Sequence, residues 1–416
     1  CGREIIVPPE PGLMGAFGVA LEILRSIKSG LMEKGAFDLE ELAGREVAYR
    51  DPFTCKGGSE GCDRKCTIAR IEINGAVFPF GGVCDMYYNL LKKKGSEKAG
   101  LDLIKVREEL VFGKYAPPRL PDATVTVGIP ASLLTNTFYP FYARFFSSLG
   151  IGVIPGLAPS LEGMQAPGSS FCFPVMLSHG FVHGLLQKDP DYIFIPFVKN
   201  VSLETSDETN CTCPFVQADP DYLRAAFHDQ LGPKLLTEVL EFDKPNLLRK
   251  AFISLGAKLG FPEAKSSRAF QEAVETFDAM RREMHDLGRE FLRNLRPEES
   301  AVVLFGRPYN AFSRFGNMEI PHKFASRGYR VIPHDFLPLE ELGGETHPQM
   351  FWATGQGIMQ AAAYVRKTPS LFGAFITNFS CGPDSFITGY FRDAMGQKPS
   401  LTLEIDAHTA DAGIDT

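Results

Sequence analysis

The sequence predicts an α/β protein: two doubly wound parallel-sheet domains and, ahead of them, a small cysteine-rich β-hairpin module. Three observations carry that expectation. Strand, helix and strand alternate with short connections over residues 124–154 and again over 301–332, the pattern of βαβ units with right-handed crossovers. The run Asp191 to Val198, DYIFIPFV, is apolar on both faces, as a strand buried inside a parallel sheet must be. Earlier, an alternating run from Thr67 to Phe80 is interrupted by Asn74-Gly75, the strongest short hairpin signal, with Cys55, Cys62, Cys66 and Cys84 around it.

Taken in order, residues 1–44 read as a short strand, Glu4 to Val7, and a helix, Leu13 to Ile27, whose Gly15, Ala16 and Gly18 suit close packing. Opening on Cys1 rather than methionine, this segment is expected to be the tail of something longer. Residues 45–120 hold the hairpin module and a linker. The hairpin would set Cys66 beside Cys84, while Gly57-Gly58 and Cys62 supply a turn with more sulfur. Four sulfurs on so small a module bind zinc or an iron-sulfur cluster, and the Cys-x3-Cys step from Cys62 to Cys66 leaves the metal open. Leu90 to Pro121 is charged, then proline-rich, and reads as linker.

Residues 121–262 form the first α/β domain. Its elements are the strand Thr124 to Pro130, a helix Asn136 to Leu149 stopped by Gly150, the strand Ile151 to Ile154, a helix Pro174 to Gln187 and the strand Asp191 to Val198. Asp219 caps a further helix, and Asn246 to Leu259 is another. Residues 263–416 open on the longest element, Glu263 to Leu295, whose Phe270, Val274, Phe277, Met280, Met284 and Phe291 make a core stripe. The second α/β domain follows. It has strands at Ala301 to Phe305, Tyr329 to Ile332, Leu371 to Asn378 and Ser400 to Ile405. Between them come helices running to Ser326, from Pro348 to Lys367 and from Asp384 to Met395.

With 416 residues and 44% hydrophobic content the chain has material for several cores. A net charge of -7 argues against nucleic acid as a partner. No run approaches the roughly 18 apolar residues of a membrane span and no basic-then-apolar leader opens the chain, so a cytoplasmic location without a membrane partner is expected. Nine cysteines in a reducing compartment point to metal before disulfides. Walker, G-x-S-x-G and dinucleotide motifs are absent.

Three cysteines stand apart. Each follows a strand or strand end and has Pro or Gly beside it: Phe-Cys-Phe-Pro at Cys172, Cys-Pro at Cys213, Cys-Gly-Pro-Asp at Cys381. Open α/β sheets hold ligands at strand ends, and three thiolates there suit an iron-sulfur cluster with one iron left without a protein ligand. Cys211 rivals Cys213 from one residue away. His179 and His183, four apart on one helix face, lack a third ligand and are expected to support rather than ligate. Arg307, at a strand end in Gly-Arg-Pro-Tyr, is a candidate for an anion such as a CoA phosphate or carboxylate, with a nearby acid as the alternative partner. Asp384, Asp406 and His408 are secondary candidates.

The motifs CDRKC, FPFGGVCDMYYN, VGIP, YPFYARFFSSLG, CFPVMLSHGFVHGLL, DYIFIPFV, CPFVQADP, VLFGRPYN, SCGPDSFI and LTLEIDAHTADAG occur in that order, and the stretch they mark out is nearly the whole chain from about residue 45. They resemble activase-related proteins of the 2-hydroxyacyl-CoA dehydratase activase family, the CoA-substrate-specific enzyme activases, in which a dehydratase-like iron-sulfur region follows an ATPase domain. EIIVPPEPGLMGAFGVALEIL resembles the last strand and helix of that ATPase domain. More distantly, the chain is similar to the iron-sulfur subunits of the dehydratases, where three cysteines hold a cluster between flavodoxin-like domains.

The resemblance implies two flavodoxin-like domains and a 4Fe-4S cluster on Cys172, Cys213 and Cys381. The cysteines Cys55, Cys62, Cys66 and Cys84 would take a second 4Fe-4S cluster or zinc. Implied partners are an activase ATPase domain, upstream in the same chain or separate, an acyl-CoA substrate and a second copy in a homodimer. The implied function is an electron-transfer or catalytic module in reductive activation of 2-hydroxyacyl-CoA dehydratase type chemistry, part of a lyase-related system. The alternative is a zinc-stabilised regulatory or docking module for a separate dehydratase. In one place the chain departs from the family. A glutamate before the first ligand cysteine and a lysine after it are replaced by Ser169 or Ser170 and by Met176, so proton transfer by that glutamate is not carried over.

Overall fold

The structure, a computed structural model, describes residues 9–28, 34–35, 38–56, 65–81, 102–167, 172–201, 210–296, 299–339, 350–379 and 381–406. The chain divides into two compact units, Cys1–Gly82 and Val83–Thr416.

In the first unit the expected helix is present at Met14–Lys28, with Leu13, Phe17, Leu21 and Leu24 exposed. The hairpin is present as β2 (Thr67–Ile73) and β3 (Ala76–Phe80), paired antiparallel. Asn74 and Gly75 both have positive φ, 48° and 81°, as a type I′ turn requires. A third strand, β1 (Val47–Thr54), pairs antiparallel with β2, with a register shift between Arg50 and Phe53 at Pro52. Its proline and mixed polarity hide it from a periodicity reading. The Cys55 N–H donates to the Cys66 carbonyl at 2.8 Å, so Cys66 has Cys55 as a neighbour. Cys62 and Cys84 lie outside the described residues, as do Glu4 to Val7. The four-cysteine module expected around the hairpin therefore lies partly outside the described residues.

In the second unit four strands, β4 (Thr126–Pro130), β5 (Gly152–Gly156), β6 (Tyr192–Phe194) and, beyond a short strand β7 (Phe197–Asn200), β8 (Leu235–Leu236), form a parallel sheet in the order β5-β4-β6-β8. The short β9 (Val239–Glu241) pairs with β7 in a sheet of its own. The run DYIFIPFV is thus two strands rather than one. Pro196 has no N–H to give to a ladder, and the chain leaves one sheet for the other at that residue.

The remaining strands, β10 (Ala301–Phe305), β11 (Arg330–Pro333), β12 (Leu371–Asn378) and β13 (Ser400–Ile405), form a parallel sheet in the order β11-β10-β12-β13. Both four-stranded sheets run second, first, third, fourth, an order consistent with a flavodoxin-like doubly wound fold. In such a fold the order reverses beside the first strand, and ligands bind at the carboxyl ends there.

Between the sheets the 31-residue helix Glu263–Arg293 buries Phe270, Met280, Met284 and Phe291. It packs on the helix Thr135–Ser148, where Phe138 and Phe141 meet Phe277 at ring separations of 5.3 and 6.2 Å. Fully burying each such side chain stabilises by about 1.5–3 kcal/mol. The two helices therefore anchor both sheets.

Two local expectations differ from the fold. Within the stretch read as linker, Asp102 caps a helix Leu103–Glu109 that buries Leu103, Ile104 and Arg107. A buried arginine disguises its apolar face in the sequence. The helix expected from β10 to Ser326 is broken into Pro308–Ala311 and Ile320–Ser326, because Met318 and Glu319 take positive φ and Pro321 can only begin a helix.

Candidate functional site

Cys172, Cys213 and Cys381 share one local design. Each is the residue just before a helix, respectively Phe173–Leu186, Pro214–Gln217 and Gly382–Met395, and each helix has Pro in its first two positions. Proline presets the first helical turn without wasting an N–H, and the cysteine at each helix start keeps non-helical backbone. The Cys-Phe-Pro, Cys-Pro and Cys-Gly-Pro signatures therefore present a thiol at a helix start. At Cys381 the sulfur accepts the Asp384 N–H at 3.3 Å.

Arg307 lies among them. The strand β10 ends at Phe305, and Gly306 follows with φ 139°. A Cβ there would stand 2.5 Å from the Ile376 carbonyl on β12, so only glycine allows the close approach. Arg307 is 2% exposed. Its Nη1 donates to Tyr309 Oη at 2.7 Å, and its Nη2 to Cys381 Sγ at 2.6 Å, to Asn378 Oδ1 at 3.3 Å and to Asp384 Oδ2 at 3.2 Å. Nε lies 3.0 Å from Asp384 Oδ1, an ion-pair distance without hydrogen-bond alignment, which leaves both atoms with no hydrogen bond. Asp384 is held in turn by Thr377 Oγ1 at 2.7 Å and Asn310 Nδ2 at 3.4 Å, and Asn310 also reaches Asn378 Oδ1 at 2.9 Å.

The electrostatics tie the cysteines to one another. Burial pushes the Cys381 thiol up to about 12, with Arg307 pulling it down and Asp384 and Cys213 pushing it further up. Burial likewise raises the Cys172 thiol; Arg307 lowers it and Cys213 raises it. Burial works against the Arg307 charge, yet Asp384 first, then Tyr309, Cys381 and Cys213, hold its pKa well above the usual value. One charge shifts another in this way over only a few ångströms. The three cysteines and Arg307 therefore occupy one neighbourhood, at the carboxyl ends of β10 and β12 where the second sheet reverses its order.

A polar group missed by the sequence reading adjoins Cys172. Asp219, fully buried, accepts from Ser178 Oγ at 2.9 Å and from Tyr222 Oη, and burial raises its pKa to about 7 against those two bonds. Burial, Asp219 and more weakly Cys172 raise the Tyr222 phenol. Asp219 reads in the sequence as a helix cap; it occupies the first turn of Asp219–Ala226 instead, and its partners come from another helix with no shared spacing. His179 Nδ1–H donates to the Val175 carbonyl at 2.8 Å and the ring stacks on Tyr222, while His183 Nδ1 meets Ser160 Oγ at 2.7 Å. Both histidines sit in packing positions.

Of the hairpin cysteines, Cys55 and Cys66 are adjacent in the first unit, and Cys62 and Cys84 fall outside the described residues, as does His408. None of the six described cysteines is in a disulfide. Among the described residues no group of three or more His, Cys, Asp or Glu is arranged to hold a single metal ion, and no helix is long and apolar enough to cross a membrane.

A family model described as CoA enzyme activase uncharacterised domain (DUF2229) matches residues 126–337, a stretch holding Cys172, Cys213 and Arg307 and ending before Cys381. No curated protein matches. Among solved structures, glucosamine-6-phosphate deaminase from Thermotoga maritima is 13% identical over 73% of this chain and 83% of that one, with a TM-score of 0.20, too low to carry an argument.

Proposed function

The chain belongs to the family of the CoA enzyme activase domain, and from that premise we propose that it is the iron-sulfur part of a system that reductively activates an enzyme of the 2-hydroxyacyl-CoA dehydratase type. The observation that supports this reading is the meeting of Cys172, Cys213 and Cys381, from three separate loops, about one buried guanidinium.

The donor set fits a 4Fe-4S cluster. Cysteine sulfurs are the ligands such clusters take. When bound, the cluster would supply one-electron chemistry and one iron without a protein ligand. Cys172, Cys213 and Cys381 would hold it. The raised thiols of Cys172 and Cys381 are protonated at neutral pH, so their ligation releases protons to solvent. Arg307 keeps its charge and offsets that of the thiolates, with Asp384, Asn378 and Tyr309 fixing its plane. Both of its Nη atoms donate inside the site and its Nε faces Asp384, so it serves as an internal counter-ion rather than as a clamp for CoA. The helices Phe173–Leu186 and Gly382–Met395 add their positive ends.

On the same reading, Cys55, Cys62, Cys66 and Cys84 hold a second cluster or zinc. The ATP-hydrolysing partner is a domain of which the helix Met14–Lys28 is the last part, and an acyl-CoA is the substrate of the system. The test is anaerobic purification with iron and acid-labile sulfide analysis and electron paramagnetic resonance of the reduced protein. Iron and sulfide that fall by one cluster's content with Cys172→Ser, Cys213→Ser or Cys381→Ser, while circular dichroism is kept, support the proposal. Zinc without sulfide would sink it and favour the zinc-stabilised docking module.

A further inference from the structure

Cys381 and Cys172 are served by the same kind of donor pair. At Cys381 the sulfur accepts one backbone N–H from its own helix, that of Asp384, and one side-chain N–H, from Arg307 Nη2. At Cys172 the backbone donor is Val175, again three residues on, and the side-chain donor is Asn378. Burial raises the Cys172 thiol; the Val175 N–H, the Arg307 charge and the Asn378 amide draw it back down, Val175 and Asn378 as hydrogen-bond donors.

Asn378 is held firmly for that part. It ends β12, is 3% exposed, and its backbone carbonyl accepts the Cys381 N–H at 3.2 Å. Its side-chain oxygen accepts Arg307 Nη2 at 3.3 Å and Asn310 Nδ2 at 2.9 Å. A guanidinium only donates, so these bonds fix which end of the amide is oxygen and which is nitrogen. Nδ2 is buried and has no aligned hydrogen bond. A thiol accepts weakly and leaves such a donor unmet, whereas a thiolate carries charge and accepts strongly. The free energy that an unmet buried donor costs is therefore recovered once Cys172 is a metal-bound thiolate. No room for a ligand is needed beside Nδ2, because the sulfur already stands within its reach.

On the reading that Cys172, Cys213 and Cys381 hold an iron-sulfur cluster, we propose that Asn378 Nδ2 donates a hydrogen bond to the Cys172 sulfur and so raises the reduction potential of the cluster. Reduction adds one electron, and no bond to Asn378 forms or breaks. The added negative charge strengthens the N–H···S bond, so the donor favours the reduced state. Asn378 is a positioning residue, acting through Cys172 and not on a substrate.

The full chain, prepared anaerobically and titrated with titanium(III) citrate as a one-electron reductant, gives the midpoint potential by electron paramagnetic resonance, read on the signal that Cys172→Ser removes. Asn378→Leu should shift the equilibrium about tenfold towards the oxidised cluster, the worth of one hydrogen bond and about 59 mV for one electron. Asn310→Ala takes a neighbour from the Asn378 oxygen but no donor from sulfur, and should shift it far less. Pulsed resonance of the reduced parent protein, with 15N in its asparagine side chains, should show a nitrogen coupling that follows the label. If Asn378→Leu takes up no iron, the labelled parent still decides. The proposal is overturned if Asn378→Leu keeps the parent midpoint, if Asn310→Ala lowers it as far, or if the labelled parent shows no such coupling. Those results leave the cluster in place, whereas zinc without sulfide overturns the cluster reading itself and this proposal with it.

Discussion

The sheet β1-β2-β3 and the Arg307 site are made in opposite ways. In the sheet, β2 and β3 are consecutive and joined by two residues, β1 is exposed along nearly its whole length, and the Arg50–Glu72 pair lies at the surface. At the Arg307 site the partners come from the ends of two separate strands, Tyr309 and Asn310 just after β10 and Asn378, Cys381 and Asp384 at and beyond the end of β12, and Arg307, Asn310, Asn378 and Asp384 are almost completely buried. A pattern written in consecutive residues can shape a hairpin without giving it a core. A convergent site exists only after a core has formed, and takes its rigidity from that core. So small a sheet is marginal alone, which is the physical reason four cysteines around it read as a metal staple, whereas those around Arg307 read as a site.

The largest expected effect separates the two regions directly. Arg307→Met leaves Asp384 buried without its cation and should cost about 3–5 kcal/mol, the usual loss when one partner of a buried pair is removed. Arg50→Met should cost far less, because exposed pairs contribute little. Urea denaturation of the full chain, with hydrogen exchange at β2 and β10 to tell the regions apart, measures both. Equal losses would break the comparison.

Acidity sharpens it, since the two regions respond to pH with opposite sign. Burial raises Asp219 to about 7, from the ordinary carboxylate range. A raised carboxyl stabilises the fold fully below its unfolded pKa, and that contribution is lost as pH rises through the folded one. The second unit should therefore weaken from pH 4 to pH 7, by about 4 kcal/mol at most for a shift of about three units. Glu72 is lowered by its hydrogen bond to Arg50, so its contribution is present at neutral pH and is lost as pH falls. Asp219→Asn, which keeps an acceptor for Ser178, should flatten the first trend and leave the second alone. Urea midpoints at pH 4, 5.5 and 7 test this, and an unchanged slope in Asp219→Asn removes the assignment.

The contrast also explains what could be read in advance. The strands Leu371–Asn378 and Ser400–Ile405 have the bounds expected of them, because turn residues close apolar runs on both sides. The break at Pro196 was visible as a proline, but which sheet each half joins depends on β8 and β9, some forty residues later. Cys172, Cys213 and Cys381 were legible through the Pro or Gly beside them, a local signal for a helix start. Asn310, Thr377, Asn378 and Asp384 were not legible as a group, for no spacing in the chain says that they close on Arg307. Arg107 shows the same limit: its burial follows from Asp335, far along the chain, and without that partner its helix looks like charged linker.

The smallest effect, and the finest discrimination, comes from two glycines. Gly75, φ 81°, has open space where a Cβ would go, whereas Gly306, φ 139°, has the Ile376 carbonyl 2.5 Å away. Gly75→Ala should cost about 1–2 kcal/mol, for left-handed backbone alone. Gly306→Ala should cost about 3 kcal/mol, because β12 must also shift. Asparagine separates the two causes. It tolerates left-handed backbone but still carries a Cβ, so Gly75→Asn should recover most of the loss and Gly306→Asn none. Recovery at Gly306 would mean that conformation, and not the approach of β10 to β12, fixes the turn into Arg307. The site would then be as locally specified as the hairpin.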